Sequence, residues 1–456
     1  MRLVDDPVPE SGHALGDIDI RNLSTVVVAV SGGSDSMALL HLAAATLGRG
    51  RLLAVTVDHQ LRPEAASEAQ WVSTCCAAMG IRHRIVAWHQ NKRGVSGGLI
   101  SRAREARYSL LAEAAAEAST DLVLLGHTAD DQAETVEMRR RRCSRGSSFA
   151  RGRAGMAPAV LFGGQVWFAR PLLSSSRSTL RAYLVAQGAK WIDDPTNEDM
   201  RYERARIRAE LGREEKSCKH GALLGLARQA ASQRRCIDAE AAKCVARHAH
   251  MPSPGLFRLD PAFLSTTCMD AALHAFRVLL ATVGGRDQLP DEARTRLLLE
   301  QLETPGFCAT LSRTRVEVHR QGIFLCRENR GLPHETAVGG MIWDGRYRLA
   351  ELDGPGKWTI GPVGSSGSSG AGELGGEFAE VPQRLVGAGL LAEPRLWPLD
   401  PEGGSSNGRP KARMERVVSP FARFLGEFDL CLAAALFSLI GAPAPPPSPF
   451  VRHIAG

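Results

Sequence analysis

Ser31-Gly32-Gly33-Ser34-Asp35-Ser36 follows the apolar run Val26-Val27-Val28-Ala29-Val30 and precedes Met37-Ala38-Leu39-Leu40-His41-Leu42. This order predicts a strand, a glycine turn and a helix start. The two glycines let the backbone bend tightly and approach a bulky anion, while N–H groups of the first helical turn point into the loop. Such a loop binds phosphate. It has neither the lysine of the Gly-x-x-x-x-Gly-Lys loop nor the spacing of the dinucleotide Gly-x-Gly-x-x-Gly turn. Hydroxyls replace the lysine: Ser31, Ser34 and Ser36 can donate to phosphate oxygens. Asp35, an anion beside a polyphosphate, requires a hard cation such as Mg2+ between the two. The bland alternative is a serine-capped turn with no ligand.

Working outward, strands are predicted over Leu52–Val57, Ile81–Trp88, Asp121–Leu125 and Val166–Leu173. Helices are predicted over Glu64–Met79, Ile100–Ser119 and Arg177–Gln187. This alternation implies an α/β fold with a doubly wound, mostly parallel sheet. Ligands of such sheets gather at the carboxyl ends of the strands, where Ser31 to Ser36, Asp58 and His127 stand.

A second motif, Gly126-His127-Thr128-Ala129-Asp130-Asp131-Gln132-Ala133-Glu134-Thr135, opens a helix after the fourth strand. His127, Asp130, Asp131 and Glu134 stand at i, i+3, i+4 and i+7, one face once helical. Three carboxylates and a histidine on one face are costly unless a cation lies there: Mg2+, an amino substrate or an arginine. Helix capping is the alternative; it accounts for Asp130 and Asp131, less easily for Glu134 with His127.

The 456 residues allow two or three domains, and 44% hydrophobic with 23% charged residues is ordinary for a globular protein. No apolar run reaches the roughly 18 to 20 residues of a membrane span. Phe424–Ile440 is broken by Glu427 and Asp429 and reads as one amphipathic helix. Early acids Asp5, Asp6 and Glu10 fit neither a signal nor a transit peptide, so a cytoplasmic location without membrane partners is expected. The ten cysteines form no C-x-x-C pair, so neither a zinc site nor a redox dithiol is signalled. Of the net charge of +7, all is carried by residues 139–153, seven arginines with no acid. Such a run suits a phosphate backbone or a solvated loop. Residues 204–250 and 260–299 read as helices, 310–326 as a hairpin, and a small β-containing module starts at Trp343. The proline-rich Ala442–Pro447 reads as extended.

The hexapeptide in its strand-loop-helix setting resembles the PP-loop ATP pyrophosphatases. The Gly126–Thr135 motif is similar to that of the tRNA(Ile)-lysidine synthase family within them. That family's other landmarks resemble Val57-Asp58-His59-Gln60-Leu61-Arg62, Ala103-Arg104-Glu105-Ala106-Arg107-Tyr108, Arg170-Pro171-Leu172-Leu173 and Asp194-Pro195-Thr196-Asn197, which stand in the family's order. A tRNA thiolase of the superfamily would carry a loop lysine and paired C-x-x-C motifs, both missing here. The resemblance implies a Rossmann-like PP-loop catalytic domain over 23–214 after an N-terminal extension, 1–22. It implies a mainly helical substrate-recognition domain over 215–335 and a small α+β tRNA-binding domain over 336–456 with a Gly/Ser-rich loop at 361–376.

It further implies that ATP adenylates the C2 oxygen of the wobble cytidine of CAU-anticodon tRNA(Ile), and that free L-lysine then displaces AMP. On this reading Ser31, Gly32, Gly33, Ser34, Asp35 and Ser36 bind ATP, and Asp35 and Asp131 hold Mg2+. Asp35, His127, Asp131 and Glu134 form the catalytic group. Arg104, Arg107, Asp131 and Glu134 contact lysine or the adenylate, while Arg204, Arg206 and Arg208 contact tRNA. The chain departs from the family at Val136 to Ser148, where four consecutive arginines, Arg139 to Arg142, replace a half-buried helix face. Burying them unpaired would be prohibitive, so the helix is expected to end early as a loop near tRNA, or the segment is damaged. A second departure is Arg204-Ala205-Arg206-Ile207-Arg208, where the family has Asn at the second position. The alternatives are another PP-loop adenylating ligase, a tRNA thiolase, or a non-catalytic tRNA-binding relative.

Overall fold

The structure is a computed structural model that describes residues 15–20, 23–89, 99–142, 152–193, 199–213, 218–265, 268–354, 357–366, 381–399 and 410–450. The chain divides into two compact units, 1–233 with 446–456, and 234–445.

The first unit alternates strands and helices: β1 (Val26–Ala29), α1 (Ser34–Leu47), β2 (Leu52–Asp58), α2 (Ala65–Ala78), β3 (Arg82–Ala87), α3 (Leu99–Glu117), β4 (Leu122–Leu125) and α4 (Ala129–Arg142). There follow β5 (Ala159–Phe162), β6 (Val166–Ala169), α5 (Arg177–Ala186) and α6 (Glu203–Arg213). Within this unit the strands lie in the order β5-β6-β4-β1-β2-β3. The pairings are parallel except for β5 on β6. Every residue of β1, β4 and β6 is buried, which is why these strands are continuously apolar rather than alternating. From β1 the chain winds outward through β2 and β3, and from β4 the other way to β6. The switch point therefore lies between β1 and β4, where an open parallel sheet leaves a crevice for ligands.

Two expectations about this sheet change. The strand expected over Val166–Leu173 stops at Ala169, since Pro171 has no N–H to offer a ladder and the Arg170 N–H turns to the carbonyl of Pro158. The antiparallel strand β5 was not expected; at four residues it is too short to display a period.

The arginine run also differs from expectation. Helix α4 does not end early but continues through Arg142. Its cations find partners: Arg140 Nε and Arg141 Nε donate to the buried Glu137 carboxylate at 2.7 and 2.9 Å. Arg141 also pairs with Glu210 and Arg142 with Glu203, both on α6. Arg139 donates to the carbonyls of Gly152 and Gly155 at 3.2 and 2.7 Å. The rest of the run to Arg151, like Asp194 to Asn197, lies outside the described residues.

Helices α7 (Cys218–His248), α8 (Met269–Val283) and α9 (Glu292–Gln301) follow. The second unit also holds an antiparallel sheet ordered β7-β8-β11-β10-β9, built from Ala249–Ser253, Leu256–Leu259, Cys308–Leu311, Thr314–His319 and Gly322–Arg327 in chain order. The expected hairpin at 310–326 is β10 with β11, whereas the strands near 250–259 add a sheet to a stretch read as mainly helical. Farther on, two three-stranded sheets surround a core of Trp343, Leu349 and Ile360. Of the Gly/Ser-rich loop, 367–376 lies outside the described residues.

Phe424–Ile440 is not one helix: a short strand, Phe424–Gly426, and a 3-10 turn precede the helix Leu430–Ile440. The helix start is fixed by Asp238, whose Oδ2 accepts from the N–H groups of Cys431 and Leu432 at 2.9 and 3.1 Å. Among the described residues no helix is long and apolar enough to cross a membrane.

Hydrogen bonds from Arg140 outweigh the upward push of burial and, with Arg141, hold the Glu137 carboxyl down from its ordinary 4.5 to about 2. An acid so depressed stabilises the fold above its unfolded pKa, a contribution lost as pH falls through about 2. Denaturant unfolding at stepped pH should therefore show a loss of stability below about pH 4.5 that is smaller in Glu137→Gln. Equal pH slopes in the two proteins would show that this carboxylate carries no such linkage.

Candidate active site

A cleft of about 660 Å³ opens at the switch point, lined by the Ser31–Ser36 loop, Gly126, His127, three carboxylates and five arginines. The loop is shaped from within. Gly32 takes φ +87°, and a Cβ there would press on Ile192 and Val72, each at 3.1 Å. Ser36, which lines the cleft, also braces the turn: its Oγ donates to Gly33 O at 3.0 Å and accepts from Ser31 N–H at 3.1 Å. Ser34 is engaged too, donating to Asp35 Oδ1 and accepting from Arg181 Nε at 3.3 Å. Ser31 remains exposed, and no side chain caps the first turn of α1. Its N–H groups therefore face the cleft with the positive end of the helix dipole behind them.

The other wall begins after β4. A Cβ on Gly126 would lie 2.9 Å from Asp35 O and 3.0 Å from Ser36 N, so only glycine lets the chain leave β4 this close to the loop. Thr128 then caps α4: its N–H and hydroxyl donate to Asp131 Oδ2 at 2.8 and 3.0 Å. This is a capping box closed by an aspartate, and it leaves Asp131 Oδ1 pointing outward. His127 consequently precedes the helix and does not share the helical face expected from its spacing. Asp130 also turns elsewhere, accepting from the Arg177 N–H at 2.7 Å. The face holds Asp131 and Glu134.

Arginines supply the cation that this face requires. Arg204 reaches Asp131 Oδ1 at 2.8 Å and Glu134 Oε2 at 2.7 Å, and Arg208 reaches Glu134 Oε1 at 2.7 Å. Arg177 bridges Asp35 Oδ2 and Asp131 Oδ1 at 3.0 and 3.3 Å. Burial raises the Asp35 pKa, Arg177 pulls it back and the nearby Asp131 raises it again. Two carboxylates that share one guanidinium and repel one another suit a hard divalent cation.

Of the remaining predicted residues, Arg107 lines the cleft, while Arg104 is exposed with its guanidinium 5.5 Å from the Tyr108 ring centre. Arg206 faces outward and donates to the carbonyls of Met200 and Arg201. Asp58 lies at the sheet edge but closes its own turn by accepting from Gln60 N–H at 2.8 Å.

A PP-loop domain family matches residues 11–215. A tRNA(Ile)-lysidine synthase of Mesorhizobium japonicum is 47% identical over 94% of this chain and 95% of its own length. Another, of Rhizobium meliloti, is 34% identical over 92% of this chain and 93% of its own. The chain belongs to the tRNA(Ile)-lysidine synthase family. Among solved structures, a U34-tRNA thiolase from Methanococcus maripaludis is similar over 48% of this chain and 78% of its own, with 17% identity and a TM-score of 0.39.

In this family member the sequence reading left out Arg177 and Arg181 and gave Thr128, though within the second motif, no role. Arg177 opens α5 directly behind the Ser176 cap, so its place at a helix start was readable, but its bridging of two distant acids was not. Thr128 followed by Asp131 is a readable capping box; the sequence reading placed Asp131 on a charged face and kept capping as its alternative.

Burial, then the cations of Arg170, Arg107, Arg104 and Arg204, push the His127 imidazole well below its ordinary 6.5. It should stay neutral from about pH 6 to 8, so its ring signals in NMR should not titrate there; a midpoint near 6.5 would contradict this environment. Gly126→Ala should displace the loop and raise the KM for ATP about tenfold or more with the fold retained. An unchanged KM would mean that the contact at Asp35 is slack.

Proposed function

We propose that this chain ligates free L-lysine to C2 of the wobble cytidine of CAU-anticodon tRNA(Ile), with ATP converted to AMP and pyrophosphate. The observation that carries the reading is the buried pair Asp131 and Glu134, an anionic slot neutralised by arginines, with Asp131 lining the cleft beside the phosphate loop. Arg204 and Arg208 stand in that slot for the ε-ammonium of lysine.

In the first step the cytidine O2 attacks the α-phosphorus of ATP, the bond to the bridging oxygen of the β-phosphate breaks, and pyrophosphate leaves. The N–H groups opening α1, the Ser31 hydroxyl, Arg177 and Arg181 hold the phosphates. Asp35 and Asp131 would hold Mg2+, which neutralises phosphate charge when bound. In the second step the lysine ε-nitrogen, having given up a proton, attacks C2, and AMP departs with the former O2. Asp131 and Glu134 orient the ammonium and set where it deprotonates. Arg107 neutralises the adenylate phosphate; His127, uncharged, serves as a hydrogen-bonding group beside it. Arg206, which faces outward, is the one of its three neighbours assigned to the tRNA backbone. The reaction takes place in the cytoplasm. The reading as a non-catalytic relative rested on the arginine run, whose described cations are paired.

The test is transfer of labelled lysine into an unmodified CAU-anticodon transcript. Incorporation should require ATP, Mg2+ and the wobble cytidine, and tRNA binding without incorporation would defeat the proposal. Asp35→Ala should abolish pyrophosphate release and leave tRNA affinity within a few fold.

The stand-in arginines also imply an order. Lysine should bind weakly to the free protein and tightly once a non-hydrolysable ATP analogue draws Arg177 and Arg204 toward phosphate. Calorimetry giving equal lysine affinity with and without the analogue would refute this exchange.

A further inference from the structure

We propose that Arg141 and Arg142 are positioning residues, a polar clasp that sets α6 against α4 and thereby holds Arg204 and Arg208 over Asp131 and Glu134. The kinetic part of this inference rests on the proposed function; the structural part does not.

Two sets of contacts join α4 to α6. At the cleft end, acids of α4 receive arginines of α6: Asp131 and Glu134 take Arg204 and Arg208. At the far end the polarity reverses, and arginines of α4 receive acids of α6: Arg141 takes Glu210 and Arg142 takes Glu203. Glu203 directly precedes Arg204, and Glu210 stands two residues after Arg208. Each site arginine therefore has a clasp acid beside it. Arg141 is itself anchored, since its Nε donates to Glu137, whose side chain is only 1% exposed. Gln132 also holds α4 through Met156, with its amide donating to the carbonyl at 3.1 Å and its oxygen accepting from the N–H at 2.7 Å.

The competing account seats α6 by apolar packing alone, through the buried Ala205 and Ile207 and through Leu211 against the Ala133 and Val136 cluster. Apolar contact is non-directional and tolerates small slides. Paired charges of opposite order at the two ends penalise a slide at both, so they fix register. Exposed pairs contribute little to global stability, Arg141 and Arg142 being 38% and 64% exposed. A displacement of about an ångström at a site nevertheless costs much in rate. The signature is a kinetic effect with little change in thermal stability.

The test is charge reversal with rescue. Because Arg204 and Arg208 occupy the slot that lysine must enter, Arg142→Glu alone and Glu203→Arg alone should each lower the KM for lysine about tenfold, leave the KM for ATP within about twofold, and barely move the melting temperature. The two together should recover lysine KM to within about threefold of wild type. Additive shifts in the double variant, or single variants with wild-type lysine KM, would overturn the clasp. Weakened tRNA binding with a shallower salt slope and unchanged lysine KM would likewise overturn it, marking the arginines as RNA contacts.

Hydrogen exchange of the α6 amides in the ligand-free protein supplies the activity-independent readout. Exchange should quicken in each single variant and return in the double, and exchange indifferent to both reversals would also refute the clasp. If wild-type protein makes no lysidine, the functional reading fails and the exchange experiment still decides the clasp.

Discussion

The active site depends on the neutralisation of two buried carboxylates. Glu134 is 2% exposed and Asp131 is 8% exposed, and an unpaired buried carboxylate would either take up a proton or destabilise the fold. The structure meets that requirement with guanidinium groups from α5 and α6, two helices that otherwise have no sequence relation to α4. The same requirement makes the site selective for ligands. A group that can replace a guanidinium between Asp131 and Glu134 must be cationic, and the arginine it releases must find an anion. The substrates proposed above satisfy both conditions together.

The sheet topology brings these groups into range of the phosphate loop. Strand order reverses between β1 and β4, so the loop after β1 and the turn after β4 exit side by side. Gly126 permits the closest approach, and the Thr128 cap starts α4 there, committing one oxygen of Asp131 to the helix and the other to the cleft. Local backbone requirements thus decide which carboxylate oxygen faces the cleft. Capping and arginine pairing are two uses of one side chain.

Much of this was legible in order along the chain. The phosphate loop is readable because strand, glycines, hydroxyls and helix are contiguous, and hydrogen bonds within the loop then confirm a tight turn. Asp131 and Glu134 are readable because three-residue spacing survives helix formation. His127 was misplaced on that face because spacing alone does not locate the first helical residue; the Thr128 cap does. The arginine run looked destructive because two of its partners, Glu203 and Glu210, lie some sixty to seventy residues downstream, at separations of 61 and 69, although Glu137 was close at hand. The short strand β5 and those near 250–259 offered too few residues for a period to be recognised.

What the sequence alone determined was whatever is encoded by neighbours: the parallel α/β core, the loop and its anion chemistry, the acidic helix, and the family. Only tertiary structure decided which arginine meets which acid, that Ser36 braces the loop from within, and that a basic run is held by distant carboxylates as well as by Glu137. The reason is physical. Backbone bending and helical periodicity act over a few residues, whereas charge pairing acts through space and is set by where the sheet delivers each helix.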